Sequence, residues 1–86
     1  MTYDFDKLID ASKDDYNLST FLRVRFEDIA IAQDRPHGWE YEAFKQPSRE
    51  LIGTLVDHIR EEAMTRDPQF RESRKIAQKT LHLLGA

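Results

Sequence analysis

A histidine–glutamate pair, a row of cations and an aromatic triplet beside a proline–glycine turn are the residues of this chain whose types and spacing suggest chemistry. His58 and Glu62 are four apart, so on a helix they share a face as metal ligands would. Two ligands do not make a site. With His37 in a turn and His82 near the C-terminus, the plainer reading is three ordinary half-exposed histidines, and neither a metal nor a cofactor is expected. Cysteine is absent, which excludes thiolate chemistry and disulfides and leaves the redox compartment unread. Ser12, Ser19, Ser48 and Ser73 fall at loops, caps or exposed helix positions rather than in a strained nucleophile turn. The glycines at 38, 53 and 85 are isolated, so no phosphate-cradling loop exists. The chain is therefore not expected to be an enzyme.

The cations are more informative. Arg71, Lys75 and Lys79 recur every four residues, with Arg74, Gln78 and His82 alongside. Such a row can neutralise phosphates and would betray itself by salt dependence. The competing reading is a solvated face, or one whose charges pair with Glu50, Asp57 and Glu61 on the preceding helix. Exposed pairs of that kind add only about 0–1 kcal/mol each but can select orientation and partner. A helix-turn-helix reader is disfavoured, because the turn lacks the usual glycine and Asp67 and Glu72 add acids near the start of the would-be reading helix.

The aromatic triplet is Trp39, Tyr41 and Phe44, preceded by Arg35 and His37. Trp, Tyr and Arg dominate binding hot spots, because they cover large areas at low entropic cost. A domain this small also needs aromatics inside, so Trp39 and Phe44 double as core candidates and Tyr41 is the member expected outside. Val24 and Ile31 fall on the outer side of a predicted helix near Thr20, Arg23 and Glu27, an apolar pair suited to a dimer or partner contact. Arg35, His37, Trp39, Tyr41, Val24 and Ile31 together form the candidate partner surface.

The elements that must position these residues begin with the C-terminal half. Leu51, Ile52, Leu55, Val56, Ile59 and Ala63 recur at three- and four-residue spacing and predict a helix over 47–65, with Pro47 at its first position. Asp67-Pro68 repeats the start signal, with Asp67 as N-cap of a helix over 68–84. Phe70, Ala77, Leu81 and Leu84 make its apolar stripe, beside Ile76 and Leu83. Thr65 and Arg66 alone are left for the turn, so the two helices should return on each other as an antiparallel pair.

Earlier in the chain, Phe5, Leu8 and Ile9 predict a short helix over about 4–13, with Asp4 and Asp6 at its positive end. Asn17 or Ser19 caps the next segment. Over 18–33, Leu18, Leu22, Phe26, Ile29 and Ala30 fit one helix face, with Phe21 and Ala32 at its margin and Arg25 inside the apolar arc. Leu22, Val24 and Phe26 alternate with Arg23, Arg25 and Glu27 and fit a strand instead. Asp34-Arg35-Pro36-His37-Gly38 is a firm stop. Residues 39–44 then read as a second strand, a single helical turn or an irregular aromatic plug.

The totals agree with a small folded object. Eighty-six residues make a single domain spanning 1–86 that buries roughly 60–65% of its unfolded surface. The net charge of −3 is mild: eleven acids and seven bases over residues 1–50, five acids and six bases over 51–86. That is far from a nucleic-acid mimic and from a strongly basic DNA-binding domain. The start, Met-Thr-Tyr-Asp-Phe-Asp, lacks the basic and apolar runs of a secretory signal, and no apolar run approaches the roughly 20 residues of a membrane span. A cytoplasmic chain without a membrane partner is expected.

The fold class expected is all-α, a small four-helix domain built on the C-terminal pair; the alternative is α+β with a β-hairpin at 20–44. The function expected is that of a non-enzymatic protein–protein interaction factor: a small regulator, inhibitor or accessory subunit, with a homodimer among the partners considered. Phage and other mobile elements often encode compact chains of this kind. The alternative is a nucleic-acid-binding regulator using Arg71, Arg74, Lys75 and Lys79.

Overall fold

The computed structural model describes residues 3–86; Met1 and Thr2, the first residues of the N-terminal stretch, lie outside the described residues. The chain forms α1 (Phe5–Lys13), α2 (Tyr16–Ala32), α3 (Trp39–Lys45), α4 (Arg49–Met64) and α5 (Arg71–Leu84), with one 3-10 turn at Pro68–Phe70. Among the described residues there is no strand. The all-α expectation holds, and α3 is a fifth, short helix where residues 39–44 had several readings.

The strand reading of 20–32 gives way to a 17-residue helix. Its buried residues are Leu18, Phe21, Leu22, Phe26, Ile29 and Ala30, and α2 packs against all four other helices. A helix covered on several sides is apolar around much of its circumference, which mimics alternation over short windows. The aromatics confirm its central position. Phe26 meets Phe44 of α3 edge to face at 5.4 Å between centroids and Phe5 of α1 at 6.4 Å, and Phe5 and Phe44 close the triangle at 6.2 Å. Such pairs add about 0.5–1.5 kcal/mol beyond the area they bury.

The caps explain the boundaries. Asp15, rather than Asn17 or Ser19, starts α2 by accepting the Leu18 N–H at 3.1 Å. Ser48 caps α4 through the Leu51 N–H at 3.1 Å, so Pro47 lies outside that helix instead of at its first position. Asp67 accepts from the Gln69 N–H and so caps the 3-10 turn, not α5. That extra turn carries Phe70 out of the core: it is 43% exposed and not part of the stripe predicted for it. Ala77, Thr80 and Leu84 are the fully covered positions of α5. The Thr80 hydroxyl satisfies itself by donating to the Ile76 carbonyl at 2.7 Å, which is why a polar residue is tolerated there.

The α4–α5 pair is the most extensive packing in the molecule. Across it, Arg74 donates to the Thr65 carbonyl and Gln78 to that of Ala63, contacts that step away from the turn along both helices as in an antiparallel pair. Leu51, Leu55, Val56 and Ile59 of α4 join Phe5 and Leu8 of α1 in one core with α2 and α5. The Asp4 N–H donates to the Leu84 carbonyl at 3.0 Å and ties the start of α1 to the end of α5.

Candidate functional site

The corner between α2 and α3 is built by backbone chemistry. At the end of α2 the Arg35 N–H reaches the Ala30 carbonyl at 2.8 Å and the Asp34 N–H that of Ile31 at 3.2 Å. This six-to-one, five-to-two pairing is the Schellman motif, and it needs a left-handed residue at its centre. Asp34, at φ 53°, fills that role. Pro36 forbids continuation, and Gly38, at φ 96°, lets the chain reverse into α3.

The reversal lays α3 beside one stripe of α2. Tyr16, Ser19, Arg23, Glu27 and Ile31 are three or four residues apart, so they lie along one line of the helix. Three hollows border that line. The first has Tyr16 and Ser19 on α2 and Phe44 on α3. The second shares Ser19 and Phe44 and continues past Arg23 to Glu40 and Tyr41. The third shares Glu40 and Tyr41 and ends at Ile31, Arg35 and His37. Neighbouring hollows share wall residues, so the three follow one another along that line as a segmented furrow. From Tyr16 to Ile31 it runs along α2 for about 22 Å at 1.5 Å per residue, on a molecule 33 Å in its longest dimension.

Bulky apolar side chains stand along it exposed to water: Tyr16 at 83%, Tyr41 at 59% and Ile31 at 80%. The other large exposed apolar residues among those described, Met64 and Phe70, sit apart at the α4–α5 turn. Glu40 lies at the middle of the furrow and is only 7% exposed. No described residue forms an ion pair or hydrogen bond with its carboxylate. The one fully enclosed side-chain polar atom without a partner among the described residues is Arg25 Nε, so the Glu40 oxygens keep a window onto the furrow.

The six residues proposed for partner contact are divided by the fold. Ile31, Arg35, His37 and Tyr41 come together at the third hollow. Trp39 is half-buried against the core, its ring under the Arg35 guanidinium at 5.1 Å, where a cation–π contact steadies the corner. Val24 is half-buried and does not line the furrow. Two furrow residues escaped the sequence pattern. Tyr16 had a readable signal, since it lies on the stripe that continues to Ile31; Glu40 had none, because packing of α3 on α2 decides its burial.

Three of the four cations of the basic row have partners within the chain, the two lysines through surface pairs. Lys79 pairs with Asp15 at 2.8 Å, Lys75 with Glu72 at 3.7 Å, and Arg74 with the Thr65 carbonyl at 3.2 Å. The predicted pairing with Glu50, Asp57 and Glu61 does not form among the described residues, because Asp15 and Glu72 lie closer to the lysines. Arg71 makes no ion pair among the described residues and is exposed. Glu62 receives Arg25 at 3.0 Å instead of joining His58, and no group of three His, Asp or Glu side chains that could hold a metal occurs among the described residues.

The chain matches no protein-family model and has no significant match among curated proteins or solved structures.

Proposed function

We propose that this chain is a non-enzymatic protein-interaction factor, a small regulator, inhibitor or accessory subunit that acts by occupying a partner's surface through the α2–α3 furrow. The observation that carries this reading is the alignment of Tyr16, Tyr41 and Ile31 along one furrow, each largely exposed. Isolated apolar side chains on a surface need no explanation, but aligned ones along a concave, polar-rimmed line mark a contact site. The rim supplies Arg23, Arg35 and Lys45, a polar surround that steers and orients more than it binds. The reading takes the chain as cytoplasmic, and among the described residues no helix is long and apolar enough to cross a membrane. Nucleic-acid binding by Arg71, Arg74, Lys75 and Lys79 is the weaker alternative, since three of the four already have partners within the fold.

Affinity capture from the native source tests the choice. Ile31→Ala with Tyr41→Ala should lose a stoichiometric partner that Arg71→Glu with Lys75→Glu keeps. In fluorescence anisotropy, generic duplex DNA at low salt should show no tight binding. Salt-sensitive DNA binding abolished by the charge reversals, or a partner retained by the furrow variant, would reject the furrow reading.

A further inference from the structure

The middle of the furrow carries a chemical specification that its apolar walls do not. Glu40 is more than nine-tenths covered, has no partner among the described residues, and borders both the second and the third hollow. Covered on most sides, the carboxylate meets water only through its opening onto the furrow, and no partner among the described residues replaces the hydration it has given up. An arriving cation would complete the site.

We infer that the furrow receives an amphipathic α-helix of a partner protein, whose central lysine or arginine meets the Glu40 carboxylate while apolar residues one turn to either side cover Tyr41, Ile31 and Tyr16. The inference rests on the interaction reading of the furrow and adds the partner's chemistry. A helix fits better than an extended strand because both walls are helices, whose backbone groups are already paired within them. A strand would find no ladder to join, whereas a helix satisfies its own backbone. The furrow's length of about 22 Å suits a helix of roughly four turns, contacting it at the i, i+4 and i+7 positions usual for this mode.

The probe is a phage-displayed library of 16-residue helical peptides on an alanine-rich scaffold, randomised along one face. Selected peptides should carry a lysine or arginine near the centre of an apolar stripe and lose binding to Ile31→Ala with Tyr41→Ala. Glu40→Gln, which keeps side-chain length and is checked for an unchanged thermal melt, should weaken them about ten- to a hundredfold, as expected for a charged hydrogen bond. Replacing the peptide's basic residue by methionine should have a comparable effect on the natural protein and little further effect on Glu40→Gln, the signature of direct coupling. Peptides that need Tyr41 and Ile31 but show no basic preference, or additive losses in that cycle, overturn the inference and leave the furrow reading intact. Peptides indifferent to Tyr41 and Ile31, or no selected peptides, overturn the inference and count against the furrow too. A dimer in sedimentation that Tyr41→Ala dissociates replaces the helix with a second copy and also overturns it.

Discussion

Arg25 brings a full charge to the edge of the core. Its side chain is 17% exposed, pairs with Glu62 at 3.0 Å and Asp28 at 3.4 Å, and lies over the Phe21 ring at 5.1 Å. One of its own donors, Nε, is enclosed without a partner. A covered ion pair is worth little against an apolar replacement but costs much when only one member is removed. Replacing the whole pair, Arg25→Met with Glu62→Met, should therefore stay within about 1 kcal/mol of the natural protein, because one thioether keeps the contact with Phe21, the orphaned donor disappears and no acid is left unpaired. Glu62→Ala should cost about 1.5–3 kcal/mol, since it leaves the guanidinium with only the more exposed Asp28. Urea unfolding of both variants decides this, and the double replacement proving costlier than Glu62→Ala would refute the argument. Periodicity already placed Arg25 within the apolar arc; its partner, 37 residues away in sequence, was not readable from pattern. The same holds for Glu40, an acid in an alternating aromatic segment with nothing local to mark it as covered.

Among the elements, start and stop chemistry was more legible than the choice of capping residue. The stop at 34–38 stands where Asp34, Pro36 and Gly38 put it, yet Asp15 and Ser48 took the caps from neighbours of similar propensity. Any Asp, Asn or Ser near a helix start can accept the free N–H groups, and only the entry angle of the chain selects one. Backbone preference also yields a paired prediction. Asp34 is held at φ 53°, where glycine is less strained, while Gly53 lies within α4 with open space where a Cβ would point. Asp34→Gly and Gly53→Ala should each raise stability by about 0.5–1 kcal/mol, through opposite exchanges of the same two backbone preferences. Thermal melts of the single and double variants test this. The two substitutions change separate backbone preferences and share no hydrogen-bond partner, so their effects should add. Destabilisation by Gly53→Ala would show that α4 needs glycine for a reason other than space.

At the scale of the whole molecule, α2 is the axis around which the other helices gather, and its N-terminus is pinned to α5 by a contact spanning 64 residues, Lys79 to Asp15 at 2.8 Å. The Lys79 hydrogen bond, with the Leu18 N–H after it, holds the Asp15 carboxyl below its ordinary value. A carboxyl depressed on folding contributes stability above its unfolded pKa of about 3.9 and loses that contribution as pH falls through the lower folded value. Lys79→Met should thus move the NMR titration midpoint of Asp15 upward. The stability difference between the natural protein and this variant should shrink as pH falls from about 5 to below 3, and a difference that grows with acid would contradict the assignment.

The C-terminal pair could be read because several turns of regular apolar spacing outweigh any local ambiguity, and the same spacing marked Leu18, Leu22, Phe26 and Ile29 as inward. Spacing assigns a residue to a face of its own helix, and by itself the amino-acid order settled that much for the C-terminal pair, along with the break at 34–38, while 18–33 stayed open between helix and strand and 39–44 among several readings. Which faces meet, and what is left uncovered where they meet, depends on contacts between distant segments. Folding alone therefore drew α3 alongside α2, lined up Tyr16, Tyr41 and Ile31, covered Glu40 between them, and brought Arg74 and Lys79 of α5 to partners outside their own helix.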